Sequence, residues 1–364
     1  MNNEVVSDKQ GISLIVLFII GSSSIVVPGL PANNDVWLAI ILSVLMAMPM
    51  ALIASRLHVI FPERDLFDII EICFGKFLGK IVILSFTWFV FKLAAEVLRN
   101  SSQFLDASSL PETPFIIPMI CISMLILFIV KKGLPVMSRF AELVLVVPIS
   151  FIFIITILLI PEMNINNVLP VLYNGITPVI KGAFGALSFP FGQTVLFTMF
   201  FSKFNEKKSP YKIYILGLSI GGILLLITSL SNILVLGVNT ASSLYFPSVA
   251  TAGRINIENS LQRLEIIPAL IFIVGQFLKI SILLLCSCKG ITKIFGCQDY
   301  RFIVTPIALL MISLCYTLHG NIMEFYEWVA QVLPYSSLPF QVFFPIIIWI
   351  TAEIKKKQLA MSLK

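Results

Sequence analysis

The sequence predicts an all-α integral membrane protein of ten transmembrane helices, arranged as two five-helix repeats that enter the membrane in opposite directions. Three observations carry this expectation. The 364-residue chain is 58% hydrophobic and 12% charged, about half the charge of a soluble protein, and its mean hydropathy is +0.99. Predominantly apolar runs long enough to cross a hydrocarbon core about 30 Å thick recur at 11–31, 36–57, 80–105, 114–131, 136–160, 181–202, 212–238, 264–288, 301–318 and 334–353. No strand-like alternation accompanies them, and helices are then the only spanning solution. The composition excludes a soluble enzyme, a disordered tail and a nucleic-acid binder, despite a net charge of +6.

The third observation is where the basic residues fall. The segment before the first run, Met1–Gln10, is polar and is followed by a full-length run without a small-residue cleavage pattern, so no signal peptide is expected. With that segment inside, the inner connections hold Lys9, then Arg56, Arg64, Lys76 and Lys80, then Lys131, Lys132 and Arg139. They continue with Lys203, Lys207, Lys208 and Lys212, then Lys289, Lys293 and Arg301, and finally Lys355, Lys356, Lys357 and Lys364. These are nineteen of the 25 Lys and Arg residues, whereas the outer connections hold only Arg99, Lys181, Arg254 and Arg263. That bias is the positive-inside rule, and it predicts cytoplasmic N- and C-termini. Trp37, Tyr173, Tyr245, Trp328 and Tyr335 are expected in the outer aromatic belt, with Tyr211 and Tyr214 in the inner one. No cysteine falls in an outer loop, so no structural disulfide is expected. Residues 1–364 form a single polytopic domain, repeat one covering about 11–160 and repeat two about 181–353.

The first and sixth runs are interrupted near their middles. In the first, Gly21, Ser22, Ser23 and Ser24 are four consecutive small residues, and Pro28 follows one turn later. In the sixth, Ser188 is followed by Phe189, Pro190, Phe191, Gly192 and Gln193. Proline lacks a donor and clashes with the preceding turn. Each interruption alone is also explained by the ordinary use of Gly, Ser and Pro in helix packing. Their occurrence in the first helix of each inverted repeat points to a binding site of the transporter type, where unwound backbone offers free N–H and C=O groups.

Three spans carry charges inside or near the apolar region. In the third, Lys92 and Glu96 lie four residues apart on one face, with Arg99 one turn further. This pair reads either as a structural lock or as part of a site. In the eighth, Lys279 has no acidic residue within four positions, so it must face the bundle interior, a cavity or a distant partner such as Glu96 or Glu142. The plainer reading is snorkelling, but about ten residues, roughly 15 Å, separate it from the inner end. Arg139 and Glu142 in the fifth span are spaced for a structural ion pair. His58 and His319 are the only histidines and no His/Cys/Asp cluster surrounds them, so neither a metal nor another cofactor is expected. No nucleophile elbow, zinc helix or phosphate loop is present; the Gly-Lys pairs at 75–76 and 79–80 lack the upstream glycine and the Ser/Thr. Neither an enzyme nor an ATP-driven pump is expected.

The order of several short motifs resembles the spore-germination receptor B-subunit family (the GerAB type), a branch of the amino acid–polyamine–organocation transporter superfamily. The residues that carry it are Gln10-Gly11-Ile12, Phe61-Pro62, Leu66-Phe67, Gly75-Lys76, Glu96 with Arg99, and Arg139 with Glu142. Ser188-Phe189, Val195-Leu196-Phe197, Phe246-Pro247, Gln262-Arg263-Leu264-Glu265, Gly290 and Lys293-Ile294-Phe295-Gly296 complete it. The resemblance implies a LeuT/APC-like fold with discontinuous helices 1 and 6. It also implies a germinant-sensing subunit of the endospore inner membrane, working beside a receptor A subunit and a lipoprotein C subunit. The pocket would be lined by Gly21, Ser22, Ser23, Ser24, Lys92, Glu96, Phe189, Pro190, Phe191, Gly192, Gln193, Lys279 and Leu283, and would take a small nutrient such as an amino acid. Many relatives carry an acidic residue where this chain has Gln193. A proton- or sodium-coupled amino-acid transporter is the alternative class, and a purely structural anchor for partner subunits the third.

Overall fold

The computed structural model describes residues 5–108, 112–206, 208–255 and 264–362. Of the charge pattern, Lys207, Arg263 and Lys364 lie outside the described residues, as does the Gln262-Arg263 part of the family motif. The helices in chain order are α1 (Asp8–Ser23), α2 (Val36–Ile60), α3 (Leu66–Ser108), α4 (Ile116–Lys132), α5 (Leu134–Val144), α6 (Val146–Leu159) and α7 (Ile176–Ser188). They continue with α8 (Ser209–Ser243), α9 (Pro247–Ala252), α10 (Ile266–Phe295), α11 (Val304–Thr317), α12 (Ile322–Gln331), α13 (Leu333–Leu338) and α14 (Phe344–Ser362).

Every apolar run falls on helix, but the runs differ in continuity. Six helical stretches among the described residues are long and apolar enough to cross a membrane, and α11 with α12 passes only as a pair bent by 99°. The count of ten therefore remains the sequence's expectation, because α1, α4 and α7, at 16, 17 and 13 residues, are short. The two expected interruptions are present. The helical turns of α1 end at Ser23, and Gly29 turns the chain with φ of +81°. Helix α7 ends at Ser188, Phe189 is extended, and a 3-10 helix runs over Phe191–Met199.

Local sequence explains where the helices start. Ser7 and Gln10 form a reciprocal capping box at α1, with Ser7 Oγ accepting from the Gln10 N–H at 3.3 Å and Gln10 Oε1 from the Ser7 N–H at 3.2 Å. Asp65 caps α3 by accepting from the Asp68 N–H at 3.0 Å. Helix α3 then bends at Gly75, whose φ of +76° separates a short leading segment from the spanning one.

Helix α10 sits at the centre, packed on α1 and α3, while α1 also packs on α8. Small residues allow this approach. Gly21 of α1 lies against Gly275 of α10, so that a Cβ on Gly21 would come within 2.5 Å of the Gly275 backbone. On the opposite face of α1, Ile15 and Ile19 project at Gly217 and Gly221 of α8, four residues apart like their partners. Gly21 is thus a packing residue still inside helix α1, and the interruption begins at Ser24, later than the sequence reading placed it.

Both chain ends share one face, and that face is tied shut. Strand β1 (Val5–Val6) pairs in parallel with β2 (Lys203–Phe204), just beyond the 3-10 half of the sixth run. Lys212 Nζ meets Asp8 at 2.8 Å, Arg56 meets Glu353 at 2.6 Å, and Lys293 meets Asp68 at 2.7 Å and Glu71 at 2.8 Å. The hydrogen bond from Lys212 holds the Asp8 carboxyl below its ordinary 3.8. This tie is therefore complete above the ordinary carboxylate range and is lost only as pH falls through the lowered value. The Arg139–Glu142 pair expected from spacing does not form among the described residues, and Arg139 is exposed.

The glycine contact makes a direct prediction. Gly275→Ala forces α1 and α10 apart and lowers stability by about 1–3 kcal/mol. Gly185→Ala in α7, whose added Cβ meets nothing within 4 Å, does not lower it and, as a helix-interior Gly→Ala change, raises it by up to about 1 kcal/mol. Thermal unfolding of both variants in detergent measures the difference.

Candidate ligand site

A cavity of about 590 Å³ lies beside the two interruptions. Its walls come from the chain just after α1 (Val26–Pro31), from α3, the end of α7, the α8–α9 connection, α10, and α12 with the start of α13. The chain after α1 and the α8–α9 connection lie at the ends of α1 and α8 away from the tied face. On the tied side, the breaks rest on a cluster of aromatic rings. Phe18 meets Phe197 edge to face at 5.2 Å between centroids, and Phe197, Phe200 and Phe201 pack on one another at 4.8–5.3 Å.

Lys279 is the polar anchor of this region. Its side chain is fully buried, and its Nζ donates to Ser22 Oγ at 2.6 Å. The rings of Phe18 and Phe189 lie on the ammonium at 4.6 and 4.7 Å. Of the alternatives the sequence left open, the side chain takes the bundle interior, and neither Glu96 nor Glu142 reaches it. The compensation comes instead from a hydroxyl, two π faces and the carbonyl end of α1. This is a coherent set because each element belongs to an interruption: Ser22 to the last turn of α1, Phe189 to the break after α7. Ser22 spends its lone pair on the ammonium, so its own proton is available to the cavity that it lines.

Helix α3 supplies the second polar wall. Lys92 Nζ lies 3.5 Å from Glu96 Oε1, as the four-residue spacing predicts. Glu96 is buried and lines the cavity, while Lys92 is 32% exposed and sits 4.4 Å over the Trp328 ring. Arg99 plays a separate part: its guanidinium donates to the carbonyls of Cys315 and Tyr316 at 2.9 and 3.4 Å, closing the last turn of α11.

Of the residues expected to line the pocket, Ser22, Glu96 and Phe189 do so, and Lys92 and Lys279 stand directly behind them. Gly21, Ser23, Ser24, Pro190, Phe191, Gly192, Gln193 and Leu283 do not line it. Ser23 donates back to the Ile19 carbonyl, and a side chain at Gly192 would run into Gln341. Gln341 in turn donates through Nε2 to the Ser188 carbonyl at 2.9 Å, satisfying the end of α7. Gln193 is buried, with neither end of its carboxamide hydrogen bonded.

Sequence reasoning missed Gln276, Asn100 and Trp328. Gln276 is buried, lines the cavity, and has no partner for either Oε1 or Nε2; Asn100 lines it with an unpartnered Oδ1. Both follow by helical spacing, Gln276 three residues before Lys279 and Asn100 four after Glu96. Trp328 and Tyr245, expected in a membrane belt, line the cavity, and Tyr214 is buried against His58. Their outer-loop positions carried no signal that α12 folds back over the site.

The chain as a whole resembles known proteins. Spore germination protein KB of Bacillus subtilis (strain 168) is 29% identical over 97% of this chain and 96% of its own length. Spore germination protein XB of Bacillus anthracis is 23% identical over 94% and 98%. Among solved structures, a nucleobase-cation-symport-1 family transporter with bromovinylhydantoin bound superposes with a TM-score of 0.69 at 11% identity, over 92% of this chain and 76% of its own. A manganese transporter of Eremococcus coleocola gives 0.57 at 14% identity, over 98% and 85%. These two establish the fold, the inverted-repeat arrangement of LeuT-like transporters. The family model described as spore germination protein matches residues 5–321, and the chain belongs to that family of multi-pass membrane proteins.

Proposed function

We propose that the chain is the nutrient-sensing membrane subunit of a spore germination receptor, binding a small molecule, in the first instance an amino acid, in the cavity beside Ser22. The observation that carries this reading is the Lys279–Ser22 hydrogen bond at the cavity wall. An ammonium that donates to a hydroxyl strengthens that hydroxyl as a donor, and charge-assisted bonds are the strong ones. A ligand carboxylate fits there, with the Gln276 Nε2 beside it. A ligand ammonium fits the opposite wall, where Glu96 and the Asn100 Oδ1 accept. Phe189 and Trp328 bound the apolar part.

Bound ligand bridges the two interruptions and α3, and so favours one arrangement of the two repeats over another. In this reading the signal passes to a receptor A subunit and a lipoprotein C subunit in the endospore inner membrane. The tied face, rich in Lys and Arg, is the cytoplasmic one. A second reading, proton- or sodium-coupled transport of an amino acid, is supported by the fold shared with a cation symporter. Gradient-driven uptake of labelled amino acid into reconstituted vesicles would favour it over a sensor.

The receptor reading is tested in spores. Deletion of the gene is expected to abolish dipicolinate release to at least one amino acid; unchanged release with every candidate nutrient would contradict it. Lys279→Met is expected to raise the half-effective germinant concentration at least about tenfold while membrane abundance holds, and an equal fall in both would assign Lys279 to packing. Gln276→Leu removes a buried carboxamide that no group among the described residues satisfies. It is expected to weaken ligand binding by about 10–100-fold without loss of thermal stability.

A further inference from the structure

His319 occupies the bend between α11 and α12, with its side chain buried, 7% exposed. It follows the turn whose Cys315 and Tyr316 carbonyls accept from Arg99. Its ring packs on Phe325 edge to face at 5.6 Å between centroids and on Trp328 at 5.8 Å. Both of these aromatic residues line the ligand cavity, whereas His319 does not. It stands behind the wall that α12 contributes.

The surroundings suit a neutral imidazole. Arg99 and Lys92 of α3 oppose a positive charge on the ring, and Lys92 Nζ already lies 4.4 Å over Trp328. Glu324 of α12 is the one carboxylate that favours the charge. Its Oε1 lies 4.0 Å from His319 Nδ1, but the side chain is exposed and its Oε2 accepts from the Gly320 N–H at 2.7 Å. Glu96 is paired with Lys92, Glu327 is exposed, and α11 offers only Cys315 and Tyr316, which are neutral groups at pH 7. The Nε2 atom of His319 is buried, with no hydrogen-bond partner among the described residues. A proton placed there is a charged donor without an acceptor. Burial first, then Arg99, hold His319 below its ordinary 6.5.

We propose that His319 is a positioning residue for the ligand cavity: its neutral ring seats Trp328 in the wall, and proton uptake by that ring unseats Trp328 and weakens ligand binding. A third positive charge beside Lys92 and Arg99 drives the two sides of the Trp328 ring apart. The sign follows from linkage. The seated ring takes a proton less readily than a released one, so the seating is complete above pH 6.5 and is lost progressively as pH falls below it. The Asp8–Lys212 tie stays intact over that range, because its carboxyl titrates below 3.8. The effect on binding rests on the reading of the cavity as a nutrient site; the effect on Trp328 does not.

The experiment uses the full chain in detergent, with Trp37→Phe, Trp88→Phe and Trp349→Phe leaving Trp328 as the single tryptophan. Its emission and acrylamide quenching are read from pH 7.5 to pH 5.0 without ligand. Quenching is expected to rise below pH 6.5, and to stay flat in His319→Phe, which keeps a ring that cannot titrate. Glu324→Gln is expected to move the transition to lower pH, and it keeps the test open if His319→Phe folds poorly. Flat quenching in the parent chain, or a rise that persists in His319→Phe and so belongs to another group such as Glu96, would overturn the proposal. A transition that Glu324→Gln leaves in place or moves upward would overturn it as well. Separately, each of the twenty standard amino acids is scored by the rise it gives in the thermal midpoint. One that acts at pH 7.5 is expected to need about tenfold more at pH 5.0, and to lose that dependence in His319→Phe; unchanged dependence would overturn the binding half. No rise with any amino acid counts against the nutrient reading and leaves the Trp328 result standing by itself.

Discussion

The Lys279 side chain ends in the middle of an apolar bundle with no carboxylate among the described residues beside it, and the two helix interruptions are arranged around its Nζ. A buried amine is expensive to keep in such a place, and it persists only where dipoles, hydroxyls and ring faces replace water. Here they come from the last turn of α1, from Ser22, and from Phe18 and Phe189. The end of α1 and the residue after α7 therefore meet at one side chain.

Packing makes that meeting possible. Gly21 against Gly275 brings α1 and α10 close enough for Lys279 to reach Ser22 one residue later. The same closeness leaves the chain after Ser24 free to leave the helix and form the cavity wall. On the face with both chain ends, four connections, β1 to β2, Asp8 to Lys212, Arg56 to Glu353 and Lys293 to Asp68, hold the bundle closed while the other end stays open. The exposed members of these ion pairs contribute little individually to stability; their effect is to set which end of the bundle is shut.

Much of this was legible before the structure. The membrane class follows from composition, and the two interruptions from clusters of small residues with Pro28 and Pro190. The Lys92–Glu96 pair follows from helical spacing, and the buried lysine from its missing partner. What was not legible depends on tertiary contact. Ser22 and Ser24 are indistinguishable in sequence, but only Ser22 lines the ligand cavity, because about 200° of helix separates them. Gly21 and Gly192 look like exposed backbone and are packing contacts. Trp328 looks like a membrane anchor until α12 turns by 99° from α11 and lays it over Lys92. Gln276 and Asn100 were hidden because neutral carboxamides attract attention only when their burial without partners is seen.

The central claim is that ligand meets protein between Ser22 and Gln276 of the first and eighth runs, with Phe189 and Trp328 beside it. Photocrosslinking with a diazirine analogue of an amino acid that triggers germination, followed by peptide mapping, tests it most directly. The account predicts adducts concentrated on peptides carrying Phe189, Gln276 and Trp328, and their loss when excess unlabelled germinant competes. Competed adducts confined to the tied face or to the lipid-exposed surfaces of α4 and α6 would contradict it.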